Sequence, residues 1–254
     1  MSNSQASYQI RQNGTMAVQI LTEDQRYKLD REPDRVFYSE PRFVQHLDEG
    51  FRTRLTSFYR EHIPSGAVVL DLGSSWVSHL PEEVHYERVI GHGMNEAELV
   101  ANPRLDSHYV QDMNLDPTIP LKDASVDVCL AVAAWQYWTQ PENVASEMLR
   151  VTRPNGTAIV AFSNRMFFTK APQVWTDNDD KQHLDYVGTV LQANGWSDVR
   201  VFAEETKAAG LMGIVGGKGD PFFAVVARKS IGSSSFADQE NLNFKLGFSR
   251  QVDN

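Results

Sequence analysis

The stretch from Val68 to Pro81, VVLDLGSSWVSHLP, limits the fold more than any other. Val68, Val69 and Leu70 form a short apolar run, the pattern of a strand buried in a parallel sheet. Asp71, Gly73, Ser74 and Ser75 then break the run with small and polar residues. In open α/β sheets, ligands bind where such strands end. A glycine there lets backbone approach a ligand closely, and Asp71 is placed to hold a cationic amine. The same residues also suit an ordinary strand-to-helix turn with a capping acid.

The rest of the chain repeats this unit. Arg88–Gly91, Ser107–Val110, Val126–Ala134 and Thr157–Phe162 read as further strands. They alternate with helical segments at 95–101 and 141–150, which implies a doubly wound, mostly parallel sheet. Residues 184–193 read as a helix, and 199–203 and 222–227 as two last strands. The glycine-rich linker 210–219 is too short for a crossover helix, so these strands pair antiparallel. Ahead of the sheet, Phe43, Leu47, Phe51, Leu55 and Phe58 recur at helical spacing and predict a helical arm over 37–63. The expected fold is α/β, Rossmann-like, with seven strands, an antiparallel C-terminal strand and an N-terminal helical arm. Residues 1–65 form the arm, a substrate cap. Residues 66–229 form the main domain, and 230–254 a polar tail.

Composition narrows the partners. A net charge of -9 opposes binding to a phosphate backbone, so a small molecule is expected rather than nucleic acid. No stretch suits a membrane helix, and the opening MSNSQASYQIRQNG has no apolar signal region. Cys129 is the single cysteine, so no disulfide framework or thiolate metal site is expected. His79 and His85 lack metal-ligand spacing, and no metal is assigned. A cytoplasmic monomer or homodimer is the expectation.

Taken in order, Val69–Gly73, Asp112–Asn114 and the stretch SVDVCLAVAAWQYWTQPENVASEMLRVTRPNGTAIVAFSNR resemble the class I S-adenosylmethionine-dependent methyltransferases of the type-11 kind. The resemblance runs from about Val68 to Trp175, and more loosely to Lys229. FYSEPRFVQHLD, SSWVSHLP, RVIGHGMN and FSNRMFF resemble a narrower subgroup of plants, algae and cyanobacteria. Two places depart from the wider family. Ser74, Ser75 and Trp76 stand where its first motif has more glycines. Gly93 stands where its second strand ends in an acid for the ribose hydroxyls, which leaves ribose to Asn95, His92 or backbone.

The resemblance implies S-adenosyl-L-methionine as cofactor and S-adenosyl-L-homocysteine as product. Asp71 and Gly73 would meet its methionine part, and Ser74 and Ser75 its carboxylate. Gly93, Met94 and Asn95 would flank the ribose. Asp112, Met113 and Asn114 would form the adenine segment. Ala133, Ala134, Trp135 and Tyr137 follow the fourth strand, near sulfonium and acceptor, while Trp138 reads as core. Tyr38, Arg42 and His46 from the arm, and Asn164, Arg165, Phe167, Phe168 and Trp175 beyond the fifth strand, are candidates for substrate. Among them His46, Tyr38 and Arg165 are the catalytic candidates, with His46 as the base if the acceptor must lose a proton.

A thioether acceptor needs no base, because its lone pair attacks directly. Aromatic faces would stabilise the sulfonium product, and Arg42 or Arg165 would clamp a carboxylate. A methylthio-hydroxy acid on the way to a sulfonium osmolyte fits this picture. O- or N-methylation and non-catalytic cofactor binding are the alternatives. A nicotinamide dehydrogenase needs G-x-G-x-x-G after the first strand, and Gly73-Ser-Ser-Trp does not supply it.

Overall fold

The structure is a computed structural model, and it describes residues 17–208, 210 and 216–231. Expectations for the first residues, for half of the 210–219 linker and for nearly all of the tail lie outside the described residues. A short 3-10 turn, Asp24–Arg26, precedes α1 (Asp34–Phe37) and α2 (Glu49–His62). Then follow β1 (Val68–Leu72), β2 (Arg88–Gly93), α3 (Glu96–Val100), β3 (Ser107–Val110), β4 (Val126–Val132), α4 (Pro141–Val151) and β5 (Thr152–Phe162). The last elements are α5 (Gln173–Thr176), α6 (Asp180–Ala193), β6 (Ser197–Glu204) and β7 (Phe222–Arg228).

These strands form one seven-stranded sheet of order β3-β2-β1-β4-β5-β7-β6. β1 to β5 run parallel, and β7 lies antiparallel to both β5 and β6. The α/β, Rossmann-like, mostly parallel fold is therefore the one expected. The chain reverses its winding between β1 and β4, and such a switch point opens a crevice at the carboxyl ends of the strands.

Two apolar cores cover the two faces. On one, Val144 and Met148 of α4 and Leu184, Val187 and Leu191 of α6 pack against the sheet. On the other, Phe51, Leu55 and Phe58 of α2 meet Val69, Val128 and Phe222. These three α2 side chains are fully buried, and each contributes roughly 1.5–3 kcal/mol by leaving water.

Several expected boundaries move, among them β2, which runs on to Gly93, and α6, which begins at Asp180. The helix expected over 37–63 starts only at Glu49. The Asp48 carboxylate accepts the Phe51 N–H at 2.8 Å and caps the helix there. Phe43, assigned to the buried face of that helix, instead lies outside it and is 53% exposed. β4 stops at Val132, because Ala133 takes a positive φ of 48°. β5 begins at Thr152, with a register shift against β4 that absorbs the Pro154-Asn155-Gly156 turn.

Phe58→Ala is expected to cost about 3–5 kcal/mol of stability, whereas Phe43→Ala should stay within about 0.5 kcal/mol. Urea denaturation of both variants checks this. Equal losses would restore Phe43 to the helix face.

Candidate functional site

A cavity of about 720 Å³ occupies the switch crevice, within the range of small-molecule sites. Its floor is the loop after β1. Asp71 is 4% exposed. Burial pushes its carboxyl up to about 6, against the opposing pull of the Ser78 and Ser74 hydroxyls. Asn102 Nδ2 donates to Ser78 Oγ at 2.9 Å and to Ser74 Oγ at 3.3 Å, which places both hydroxyls. Gly73 has φ +72°, and a Cβ there would lie 2.3 Å from the Ala134 Cβ. Only glycine suits both demands.

His92 locks this loop to the second strand. Its Nδ1 accepts the Gly73 N–H at 3.2 Å, and its Nε2 donates to the Gln111 carbonyl at 2.9 Å. Burial lowers it to about 4, so the ring is neutral and its tautomer is set by these two partners. Both nitrogens are committed, which removes His92 as a ribose ligand.

Gly93 ends β2 at the cavity wall. A Cβ at this position would meet the Ser74 carbonyl oxygen at 2.6 Å and Leu99 at 3.1 Å. The bare backbone is thus required by the crossing of two loops. Met94 lines the cavity beside it. Asn95 also lines it, with both amide hydrogens committed. Oδ1 caps α3 by accepting from the Glu98 N–H at 3.2 Å, and Nδ2 donates to the Tyr38 and Ser39 carbonyls. Oδ1 keeps one lone pair, so the expected place beside the ribose is open to it as an acceptor only.

On the opposite wall, Asp112 Oδ1 accepts the Asn114 N–H at 2.9 Å, and Met113 lies beside it, 2% exposed. Asn114 donates to Asp34 Oδ2 and the Tyr137 carbonyl, and accepts twice from Thr139. Its amide braces the site and has nothing left for a ligand, which corrects its cofactor assignment.

The turn after β4 splits the expected residues. Ala133 and Tyr137 line the cavity, but Trp135 is turned into the core, 1% exposed, with Trp138 at 5.4 Å. The positive φ at Ala133 redirects the chain at this point. Trp138, read as core, is buried but reaches the cavity wall. Gln136, not singled out from sequence, also lines the cavity, and its Oε1 has no partner among the described residues. Tyr137 Oη accepts the Phe167 N–H at 2.9 Å, and burial pushes the phenol up to about 12.

The segment 34–46 closes the far end with Tyr38, Arg42 and His46. The Arg42 guanidinium lies 4.1 Å from the Phe37 ring centre and 5.5 Å from that of Phe167, and donates to the Phe37 carbonyl at 2.8 Å. His46 sits at the rim, edge-on to Phe167 at 5.6 Å. Partial burial, helped by the Arg42 charge and opposed by Glu98, lowers its pKa. Burial raises the Tyr38 hydroxyl far above its usual range. Asn164, Arg165, Phe167 and Phe168 complete this end. Arg165 is 58% exposed and tied through Nε to Asp220 at 2.7 Å. Trp175 is not there. It stacks on His183 at 4.0 Å in the core, 1% exposed, which corrects its substrate assignment.

No helix among the described residues is long and apolar enough to cross a membrane. No group of three or more metal-ligating side chains occurs among them either.

Residues 70–160 match the family model described as a methyltransferase domain. An uncharacterized methyltransferase of Mycobacterium sp. (strain KMS) is 30% identical over 109 residues, 41% of each chain. One of Mycobacteroides abscessus is 47% identical over 45 residues, 18% of this chain and 17% of its own. The chain thus spans less than half the length of these relatives. Among solved structures, a SAM-dependent methyltransferase of Thermotoga maritima superposes with a TM-score of 0.52 at 14% identity. The match covers 71% of this chain and 90% of that one, and it establishes the shared fold.

Gly93→Asp places a Cβ against the Ser74 carbonyl and is expected to destabilise the protein by about 1–3 kcal/mol. Thermal unfolding measures this. An unchanged midpoint would mean that the two loops can separate.

Proposed function

We propose that this chain is an S-adenosylmethionine-dependent methyltransferase acting on a small carboxylic acid. One observation carries the reading: a single cavity joins a buried carboxylate and bare glycine backbone at the switch point to a guanidinium-lined end under the segment 34–46. The cofactor fits the first end. Asp71 is a carboxylate held in a desolvated place, which an ammonium group would stabilise, and Gly73 leaves room for close approach. The match of residues 70–160 to methyltransferase domains supports the same reading.

When bound, S-adenosylmethionine supplies a methyl carbon activated by a sulfonium, and S-adenosylhomocysteine leaves as product. Asp71 would anchor the amino group, and the turn would meet the carboxylate through the Ser75 backbone, because the Ser75 hydroxyl already donates to Glu98 at 2.6 Å and the Ser74 N–H to the His92 carbonyl at 2.7 Å. Met94 and Met113 pack on the nucleoside, and Asp112 meets the adenine edge. The protein's chief contribution is alignment of acceptor and methyl, which can supply on the order of 7–11 kcal/mol. Arg42 holds the acceptor's carboxylate, its guanidinium braced by Phe37 and Phe167. In the finer reading the acceptor is a thioether, such as a methylthio-hydroxy acid, whose sulfur attacks without a base. The aromatic faces nearest Arg42 already carry its charge, so the carboxylate contact, more than an aromatic cage, is the basis of this choice.

A second reading rests on His46. A rim imidazole with a lowered pKa is neutral at pH 7 and suited to take a proton from a hydroxyl or amine acceptor. Methyl uptake by oxygen or nitrogen acids, lost in His46→Ala, would favour it over S-methylation. Cofactor binding without turnover on any acid would leave a non-catalytic binding protein.

Asp71 gives the reading a pH signature. Its folded value of about 6 exceeds the ordinary 3.8, so the folded state holds this proton more tightly than the unfolded one. Stability from this group therefore falls as pH rises from about 4 to about 6, by on the order of 3 kcal/mol, and stays lower above. Ligand binding runs the other way, because an ammonium needs the ionised carboxylate. Calorimetric titration should show affinity for S-adenosylmethionine rising through pH 6. Asp71→Asn should be no less stable at pH 7.5 yet bind at least about tenfold more weakly. Flat pH dependence with unimpaired Asp71→Asn binding would remove Asp71 from the site.

Arg42→Ala should lower turnover on a carboxylic acid at least about tenfold, with cofactor affinity kept. Arg165, exposed and tied to Asp220, should matter less. Full activity of both variants in a methyl-uptake assay would sink the carboxylate clamp.

A further inference from the structure

The turn after β4 holds one buried polar group that the roles above leave unused. Gln136 is the middle residue of the 3-10 turn Trp135–Tyr137, just past the backbone reversal at Ala133. It is 1% exposed and lines the cavity, as do Asn164, Arg165 and Met166 from the loop after β5. Its Nε2 donates to the Arg165 carbonyl at 3.4 Å. That contact decides which way round the amide lies, because a carbonyl needs a donor opposite it. The other end of the amide, Oε1, meets no donor and is shielded from solvent.

Such a group is costly. A buried carbonyl without a donor has given up water and gained nothing for it, and folded proteins keep few of them. Among the described residues, eight buried side-chain polar atoms lack a partner, and of the residues that carry them Gln136 alone lines the cavity. The terminal torsion of a glutamine is soft, so a modest turn of the amide brings Oε1 toward a ligand. An amide oxygen only accepts, and a guanidinium only donates. Gln136 and Arg42, which line the same cavity, therefore ask for opposite groups on one molecule.

We infer that Gln136 Oε1 accepts a hydrogen bond from a hydroxyl or amino group of the acceptor, so that the acceptor is a carboxylic acid with a second, donating polar group. This rests on the methyltransferase reading above and narrows its substrate. Gln136 takes no proton. It selects by the bond it makes, and it adds nothing for an acid without a donor.

The test titrates the full chain, loaded with S-adenosylhomocysteine, by calorimetry. The probes share one skeleton: γ-methylthiobutyrate and its α-hydroxy and α-amino derivatives. Wild type should bind one of the two derivatives at least about tenfold more tightly than the plain acid, and which one tells hydroxyl from amine. In Gln136→Met that ratio should fall below about threefold, with affinity for the plain acid and for S-adenosylhomocysteine within about twofold of wild type. The unliganded variant should melt within about 2 °C of wild type or above it, because an apolar group replaces an unpaired acceptor. A lower melting point with all three acids weakened alike would make Gln136 a brace between two loops. Weakened cofactor binding would give Oε1 to the cofactor instead. Either result, a ratio unchanged in the variant, or a wild type without preference overturns the inference while the methyltransferase reading stands. Wild type that binds S-adenosylhomocysteine but none of the acids overturns the carboxylic-acid substrate and Gln136 with it, and failure to bind S-adenosylhomocysteine overturns the cofactor reading itself. Should Gln136→Met fail to fold, Gln136→Asn, which keeps the amide but withdraws it by one methylene, carries the same expectation for the ratio.

Discussion

The site depends on how closely three backbones cross at the carboxyl ends of β1, β2 and β4. Gly73 lies against Ala134, and Gly93 against the Ser74 carbonyl, at separations that leave no room for a Cβ. His92 ties the crossing together by accepting from Gly73 and donating to Gln111. Burial keeps that ring neutral, and a neutral ring is what allows one nitrogen to accept while the other donates. The cavity floor is therefore almost all backbone and small residues, with Asp71 as its one buried charge.

The segment 34–46 is held by the same part of the molecule. Asn95 and Glu98, both at the start of α3, grip the backbone of Tyr38, Ser39 and Arg42. On the other side, Lys170 is 1% exposed, lies 3.1 Å from Asp30 and 3.5 Å from Asp34, and donates to the Glu32 carbonyl. Buried ion pairs of this kind add little net stability, but their removal in halves is costly, so they set where the segment sits. Its position over the cavity is thus fixed from both flanks.

Much of the fold was legible because it is written in local patterns. β1, β4, β7 and the second half of β5 are apolar runs of the right length, and Pro141 marks the start of α4. The misread arm had a local cause too: apolar spacing runs through Phe43 and Leu47, but the Asp48 cap overrides it. The site was legible only where chemistry is local, as at Asp71 and Gly73. Asn114 looked like a ligand because its partner Asp34 lies 80 positions away. Trp135 and Trp175 looked like cavity aromatics because nothing in composition separates a ring facing a cavity from one facing the core. The backbone reversal at Ala133 decides the first case, and the stacking of His183 the second.

Under the proposed reading, the electrostatics of the two ends suit a zwitterionic cofactor at one and an anionic partner at the other. Asp71 is desolvated and unpaired by any cation among the described residues, so the protein alone bears the cost of ionising it. Arg42 is the reverse: its charge rests on Phe37 and Phe167, with one backbone carbonyl accepting from it. An ammonium at the first and a carboxylate at the second would each relieve an existing imbalance. Exchanging them would set like charges against like. That asymmetry orients whatever enters along the cavity, and methyl transfer, an in-line displacement, depends on that orientation before it depends on any acid or base.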